Sequence, residues 1–100
     1  LDGNQLTAVP AELGQLAGLT TLDLSDNQLT AVPAELGQLA GMTVLCLNLN
    51  QLTSVPAELG QLAGLETLYL DDAQRATLPP ASKQVLADLE VAGCQIEEEE

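Results

Sequence analysis

The sequence predicts an α/β solenoid, in which short parallel strands alternate with short helical turns along a curved stack. A 23-residue unit occurs twice almost unchanged, at residues 19–41 and 42–64, and its second half is already present in residues 1–18. Self-similarity at a fixed period of about 20–50 residues is typical of stacked supersecondary units. Within each unit, leucines alternate with polar residues at the start, which predicts a strand. Proline and glycine punctuate the rest, which predicts a short turn.

Residues 1–18 form an incomplete first unit. Leu1 occupies the place that Leu24 has one repeat later, so the strand that should precede it is missing. Terminal repeats of a solenoid normally need a polar outer face, and this end has none. We therefore expect an uncapped N-terminal end that favours self-association.

Each full unit begins with a strand that has one buried face. In residues 19–41, Leu22 and Leu24 alternate with Thr21, Asp23 and Ser25. Side chains along a strand point alternately to opposite faces, so the leucines should stack on those of the next repeats. The expected inward columns are Leu22, Leu45, Leu68 and Leu24, Leu47, Leu70.

The second half of the unit, AVPAELGQLAG, predicts a short helix or 3₁₀ turn on the opposite, convex side. Pro33 suits the start of a helical turn because its missing N–H would have no partner there. Leu36 and Leu39 are three residues apart and are expected to point inward. Gly37 disfavours a long helix, and Gly41 permits a left-handed exit.

The pattern L-x-x-L-x-L-x-x-N-x-L is carried by Leu19, Leu22, Leu24, Asn27 and Leu29, and it recurs from Met42 to Leu52. It resembles the leucine-rich repeat, and the 23-residue form is similar to the intracellular repeats of Ras-suppressor, Scribble and Erbin-like proteins. The resemblance implies a horseshoe segment with its strands on the concave face. It also implies an asparagine ladder, in which buried amides bond the backbone of adjacent turns, formed by Asn4, Asn27 and Asn50 and interrupted at Ala73.

The chain departs from the repeat in its C-terminal part. Residues 65–80 form a divergent repeat, in which Arg75 replaces the expected leucine. Residues 81–96 allow two interpretations. As a shortened repeat, the segment would match the repeat pattern with its cysteine in the ladder position. The matching residues would be Leu86, Leu89, Val91, Cys94 and Ile96.

As a helix, the same segment has Val85, Leu86 and Leu89 on one face, and it begins at Pro80 and closes at Gly93. Residue preferences from Ala81 to Ala92 are strongly helical. We favour a C-terminal capping helix, followed by a short strand near residues 94–97. Residues 97–100 predict a solvated acidic tail.

Composition excludes several classes of function. The chain has 15 acidic and 2 basic residues, for a net charge of −13, and no histidine. Contacts to phosphate need clustered cations, so we expect no binding to nucleic acid and no binding to membranes. Cys46 and Cys94 lie in different contexts and no signal peptide is recognisable, which together predict reduced thiols in a cytoplasmic protein.

The residues do not predict an enzyme. Without histidine there is no Ser–His or Cys–His pair, and two distant cysteines do not indicate a zinc site. Asp71 and Asp72 are adjacent at a strand end, where their side chains point in different directions. Too few oxygen ligands accompany them for calcium. We therefore predict no metal and no cofactor.

The residues that differ between repeats lie mainly at the outward strand positions, on the predicted concave face. Apolar or aromatic residues fall near its centre and acidic residues flank them, which is typical of a protein interface. Outward strand positions are also polar in any soluble repeat, and a single tyrosine is a good strand former. The candidate partner-binding residues are Asp23, Asp26, Val44, Cys46, Asn48, Leu49, Tyr69, Asp71 and Asp72.

These features predict a protein–protein interaction module whose concave face binds a protein with a basic patch. One alternative is a regulatory or substrate-recognition segment of a larger signalling enzyme, such as a kinase, a GTPase or a ubiquitin ligase. A second alternative is a consensus-like or engineered scaffold without a partner, because the copies AVPAELGQLAG and SVPAELGQLAG are nearly identical. Periodicity indicates the fold, whereas the function rests on the resemblance.

Overall fold

Short parallel strands and their connections build the molecule in a computed structural model, which describes residues 8–16, 18–62 and 64–97. The strands are β1 (Thr21–Asp23), β2 (Val44–Cys46), β3 (Thr67–Tyr69) and β4 (Gln95–Glu97), and each pairs in parallel with the next in chain order. The register aligns Leu22, Leu45, Leu68 and Ile96. A parallel sheet built in sequence order, one strand per repeat, is the predicted α/β solenoid.

The convex side consists of short 3₁₀ turns, as the sequence predicts. They span Ala11–Gln15, Ala34–Gln38 and Ala57–Gln61, and each follows a proline in extended conformation. Each turn ends at a leucine whose backbone N–H donates to the leucine three residues earlier, as Leu39 does to Leu36 at 3.2 Å. Successive turns pack directly on one another.

The core is the stack of inward leucines between the sheet and the convex turns. Both predicted columns are buried, and the leucines of the second and third convex turns are at most 1% exposed. Leucine dominates this core, and the chain has no Phe or Trp, because each repeat buries its apolar side chains only against its neighbours.

The last connection is longer and contains two helices, α1 (Asp72–Thr77) and α2 (Pro80–Val91). Helix α2 buries Val85, Leu86 and Leu89 against the third convex turn and β4, which is the predicted capping helix. The shortened-repeat alternative is wrong, because it places Val91 in the core and Val91 is 89% exposed. Helix α1 was not predicted: Asp72, expected at a strand exit, is its first residue.

Several predictions concern residues outside the described part of the chain. They are the ladder position of Asn4, the uncapped end formed by residues 1–7, and the acidic tail at residues 98–100. Among the described residues, no helix has the length and apolar character needed to cross a membrane.

Candidate functional site: the concave face

The concave face carries the outward side chains of the strands and of the residues that directly follow them. Because the strands pair in register, one row across the sheet is Asp23, Cys46, Tyr69 and Glu97. The row beside it is Thr21, Val44, Thr67 and Gln95. Neighbouring strands lie about 5 Å apart, so each row presents a continuous strip of side chains.

Side chains at the centre of this face are buried or half-buried, whereas some at its rim are exposed. Cys46 and Asn48 are 7% and 4% exposed, so their side chains offer a partner almost no surface. Val44 and Tyr69 are half-buried, while Leu49 at the exit of β2 is 53% exposed. Among the predicted binding residues whose side chains the structure describes, Asp26 and Leu49 are exposed and give a partner the most access.

Two of the predicted acidic residues also hold the backbone. Asp23 Oδ1 accepts bonds from the backbone N–H and the Oγ of Ser25, at 3.0 and 2.5 Å. Asp71 Oδ1 accepts the backbone N–H of Leu49 at 3.3 Å and the Nε2 of Gln74. Replacing either aspartate by a residue without a side-chain oxygen would therefore alter the strand-exit turns as well as the charge.

The turns after β1 and β2 each contain a residue in the left-handed region. These residues are Asp26, with φ 56°, and Leu49, with φ 59°, at equivalent places in the repeat. The short polar side chain of aspartate tolerates this conformation, whereas a leucine there is uncommon. Only the alignment of Leu49 with Asp26 in the repeat indicates this geometry from sequence.

Asn48 lies in the turn after β2 with an unsatisfied side chain. Its Oδ1 is buried and has no hydrogen-bond partner among the described residues. A buried acceptor without a donor costs about 1–3 kcal/mol. Ser25, at the equivalent place one repeat earlier, bonds Asp23 instead.

Beneath the face, side-chain amides form the ladder that the resemblance implies. Asn27 Nδ2 donates to Leu24 O at 2.9 Å. Asn50 Nδ2 donates to Leu24 O at 2.9 Å and to Leu47 O at 3.1 Å, while its Oδ1 accepts the Leu29 N–H at 3.1 Å. Both asparagines are buried, and they satisfy backbone groups where the chain leaves the sheet.

The predicted interruption of this ladder at Ala73 is wrong, because Gln74 continues it. Gln74 Oε1 accepts the Leu52 N–H at 3.0 Å and its Nε2 donates to Leu47 O at 3.1 Å, as Asn50 does one repeat earlier. Helix α1 displaces the amide by one residue, and the longer glutamine side chain covers the added distance. Sequence reasoning missed this residue because a glutamine out of register does not match the repeat pattern.

Carboxylates lie on both sides of the molecule, including Glu12, Glu35 and Glu58 on the convex turns, whereas the cations are confined to the helices. Asp23, Asp26, Asp71 and Glu97 lie on the concave face or its rim. The two cations of the chain lie on the helices: Arg75 of α1 pairs with Glu90 of α2 at 3.1 Å, and Lys83 is on α2. Glu97, which the sequence predicts both at the end of the last strand and at the start of the acidic tail, is the last residue of β4.

Other chemistry finds little support in the described residues. No group of three or more Cys, Asp or Glu there could hold a metal ion. Cys46 and Cys94 are both buried thiols that form no disulfide with each other. Burial raises the pKa of the Cys94 thiol, the nearby Glu90 carboxylate raises it further, and a backbone hydrogen bond from Leu68 offsets part of the rise. A thiol with a raised pKa is mostly protonated at neutral pH and is a poor nucleophile.

The geometry defines a class of protein, a solenoid that exposes a strip of strand residues on one side. A family model described as leucine rich repeat matches residues 17–74, and the chain belongs to that family. The chain is also similar in structure to a leucine-rich repeat protein of Leptospira interrogans, with a TM-score of 0.83 and 40% sequence identity. That match covers 97% of this chain and 24% of the other chain, so this chain spans about a quarter of its length. No protein with a curated description matches the sequence.

Proposed function

We propose that the chain is a protein-recognition module whose concave face docks a protein with a basic surface patch. The distribution of charge carries this proposal. Acidic side chains lie along the concave face and its rim, as they also do on the convex turns, whereas both cations of the chain, Arg75 and Lys83, lie on the helices and none lies on the strands. Complementary charge steers association and selects the orientation of docking.

Backbone bonds between repeats support docking onto a pre-formed surface. Thr43 N donates to Thr20 O at 2.7 Å before the strands, and Gln51 N donates to Leu29 O at 2.9 Å after them. A surface fixed on both sides of each strand loses little conformational entropy on binding. The same face would serve whether the module acts alone or within a larger signalling enzyme.

The test compares two triple variants that remove the same charge from opposite sides of the molecule. The concave variant is Asp23→Asn, Asp26→Asn and Glu97→Gln, in which asparagine still suits the left-handed turn and still accepts from Ser25. The convex variant is Glu12→Gln, Glu35→Gln and Glu58→Gln, at equivalent exposed places on the convex turns. Wild type and both variants are immobilised, and proteins are captured from a cell lysate at about 0.01 M and about 0.15 M salt.

We expect wild type and the convex variant to retain a protein that the concave variant loses. Wild type should retain that protein more weakly at the higher salt. Equal loss in both variants would mean that overall charge, and not this face, attracts the partner. Equal retention would place binding elsewhere on the molecule. If no protein is retained by any of the three, the scaffold alternative replaces the proposal.

A further inference from the structure

The dipeptide Asn48–Leu49 differs from its counterpart one repeat earlier in a way that folding does not explain. There, Ser25 bonds Asp23, and Asp26 has the side chain that a left-handed residue favours. Asn48, by contrast, buries an oxygen without a partner among the described residues, and Leu49 combines φ 59° with a side chain 53% exposed. The turn after β1 therefore has neither an unpartnered buried oxygen nor a leucine in the left-handed region, whereas the turn after β2 has both.

The surrounding structure holds Leu49 in this conformation. Its N–H donates to Asp71 Oδ1 at 3.3 Å, and the next residue, Asn50, is fixed by bonds to Leu24 and Leu47. Backbone strain that neighbours maintain is concentrated at functional sites. A partner that covers a leucine held in place pays little entropy for ordering it.

The neighbours of Leu49 define the chemistry of what covers it. Asp26 lies at the equivalent turn of the preceding repeat, and Asp71 lies on the following repeat and contacts the Leu49 N–H. An open groove of about 280 Å³, lined in part by Asn50, Asp71 and Gln51, adjoins this turn. An exposed leucine is therefore flanked on both sides by carboxylates.

We infer that Leu49 is the apolar anchor of the concave face and packs against a basic segment in which apolar side chains alternate with lysine or arginine. The apolar side chains cover Leu49, and the cationic groups reach Asp26 and Asp71. The aliphatic stems of lysine and arginine add further apolar contact. This inference rests on the proposed function, which requires only a basic partner.

The test uses three synthetic peptides of equal length: alternating Lys and Leu, alternating Lys and Ser, and alternating Glu and Leu. Their affinities are measured for wild type, for Leu49→Asn and for Leu16→Asn. Leu16 is the matched control because it is 50% exposed but has a negative φ of −85° at the end of the first convex turn. Thermal unfolding is recorded for the same three proteins.

We expect wild type to bind the Lys–Leu peptide at least about tenfold more tightly than the Lys–Ser peptide. Leu49→Asn should abolish this preference while raising Tm by a few degrees, because asparagine tolerates the left-handed conformation. Leu16→Asn should keep the preference for the Lys–Leu peptide, and its Tm should not rise. The Glu–Leu peptide should not bind.

The inference is overturned if the Lys–Leu preference survives in Leu49→Asn, whatever happens to Tm, or if Leu16→Asn loses it equally. If both basic peptides bind alike and lose affinity with the concave triple variant only, the proposed function stands and the anchor does not. If neither basic peptide binds, or the convex triple variant weakens binding as much as the concave one, the proposed function fails as well.

Discussion

Glycines of the convex turns show how tightly the repeats are stacked. A Cβ on Gly14 would lie 2.5 Å from the carbonyl oxygen of Glu35, and a Cβ on Gly37 would overlap the carbonyl oxygen of Glu58. At Gly60, in the third copy of the same turn, nothing lies within 4 Å. The difference arises because α2, and not another repeat, packs against the third turn. Identical sequences therefore occupy different environments.

Gly37→Ala should destabilise the protein, and Gly60→Ala should not. The methyl group at residue 37 must push the backbone of the next repeat away, at a cost of about 1–3 kcal/mol in the free energy of unfolding. At residue 60 there is room, and alanine restricts the unfolded chain, so stability should stay equal or rise by up to about 1 kcal/mol. Urea unfolding of the two variants provides the measurement, and equal effects would contradict the stacking.

Gln74→Ala should destabilise the protein by leaving the Leu52 N–H without its acceptor, while the Leu47 carbonyl keeps its bond from Asn50 Nδ2. Each buried group that loses its partner costs about 1–3 kcal/mol. Gln74→Asn should rescue little, because the shorter side chain does not span the distance that α1 introduces. Gln51→Ala, at an exposed glutamine nearby, is the control. Full stability of Gln74→Asn in urea unfolding would show that position alone, and not side-chain length, continues the ladder.

The raised pKa of Cys94 should make stability fall with alkaline pH. The folded state keeps the thiol proton above the ordinary thiol value of 9.0, where the unfolded chain releases it. The thiol's contribution is therefore complete below that pH and is lost as pH rises from there through the raised pKa.

The measurement is the free energy of unfolding from about pH 8 to about pH 10, where thiols titrate. The profile of wild type should fall more steeply than that of Cys94→Ala. Glu90→Gln should reduce the steepness, because it removes a negative charge that raises the thiol pKa. Parallel profiles for all three proteins would contradict the assignment.

Strands and convex turns could be predicted from sequence because their periodicity is carried by residues that face the core. The leucine columns and the bounds of the turns need no knowledge of distant parts of the chain. Helix α1 could not be predicted, since its six residues carry no apolar stripe and Gln74 holds it through bonds to the repeat before it.

The sequence predicts which residues of the candidate site are aligned across the strands, but not how exposed their side chains are. Alternation assigns Cys46 and Asn48 to the outward face, yet both are buried there by their neighbours. A leucine also gives no indication of the left-handed backbone at Leu49. Register follows from sequence, whereas exposure and strain depend on how the repeats curve and pack.

Helix α2 should be essential as a cap, and its two faces should respond differently to truncation. Leu86→Ala removes a side chain that is 1% exposed and should cost about 2–5 kcal/mol. Val91→Ala, at a residue 89% exposed, should change stability by less than about 0.5 kcal/mol. Chemical denaturation of both variants is the measurement. Equal losses would revive the shortened-repeat alternative, in which Val91 belongs to the core.

The molecule as a whole carries its charge within a small volume. Thirteen net negative charges are distributed over a body of 28 × 27 × 23 Å. Electrostatic interactions extend about 30 Å at 0.01 M salt and about 8 Å at 0.15 M. Each carboxylate therefore repels those on every other side of the molecule at low salt, and only its neighbours at the higher salt.

Salt should consequently stabilise the fold and weaken binding of a basic partner over the same range. Raising NaCl from about 0.01 M to about 0.15 M should increase Tm by several degrees, because screening relieves self-repulsion in the compact state. The convex triple variant should show a smaller increase, since it begins with less charge, yet it should lose affinity for the basic peptides as steeply as wild type. Thermal unfolding and peptide titration in the same buffers give both results. A Tm that is flat or falls with salt would mean that local pairing, such as Arg75 with Glu90, outweighs the long-range repulsion from which this prediction follows.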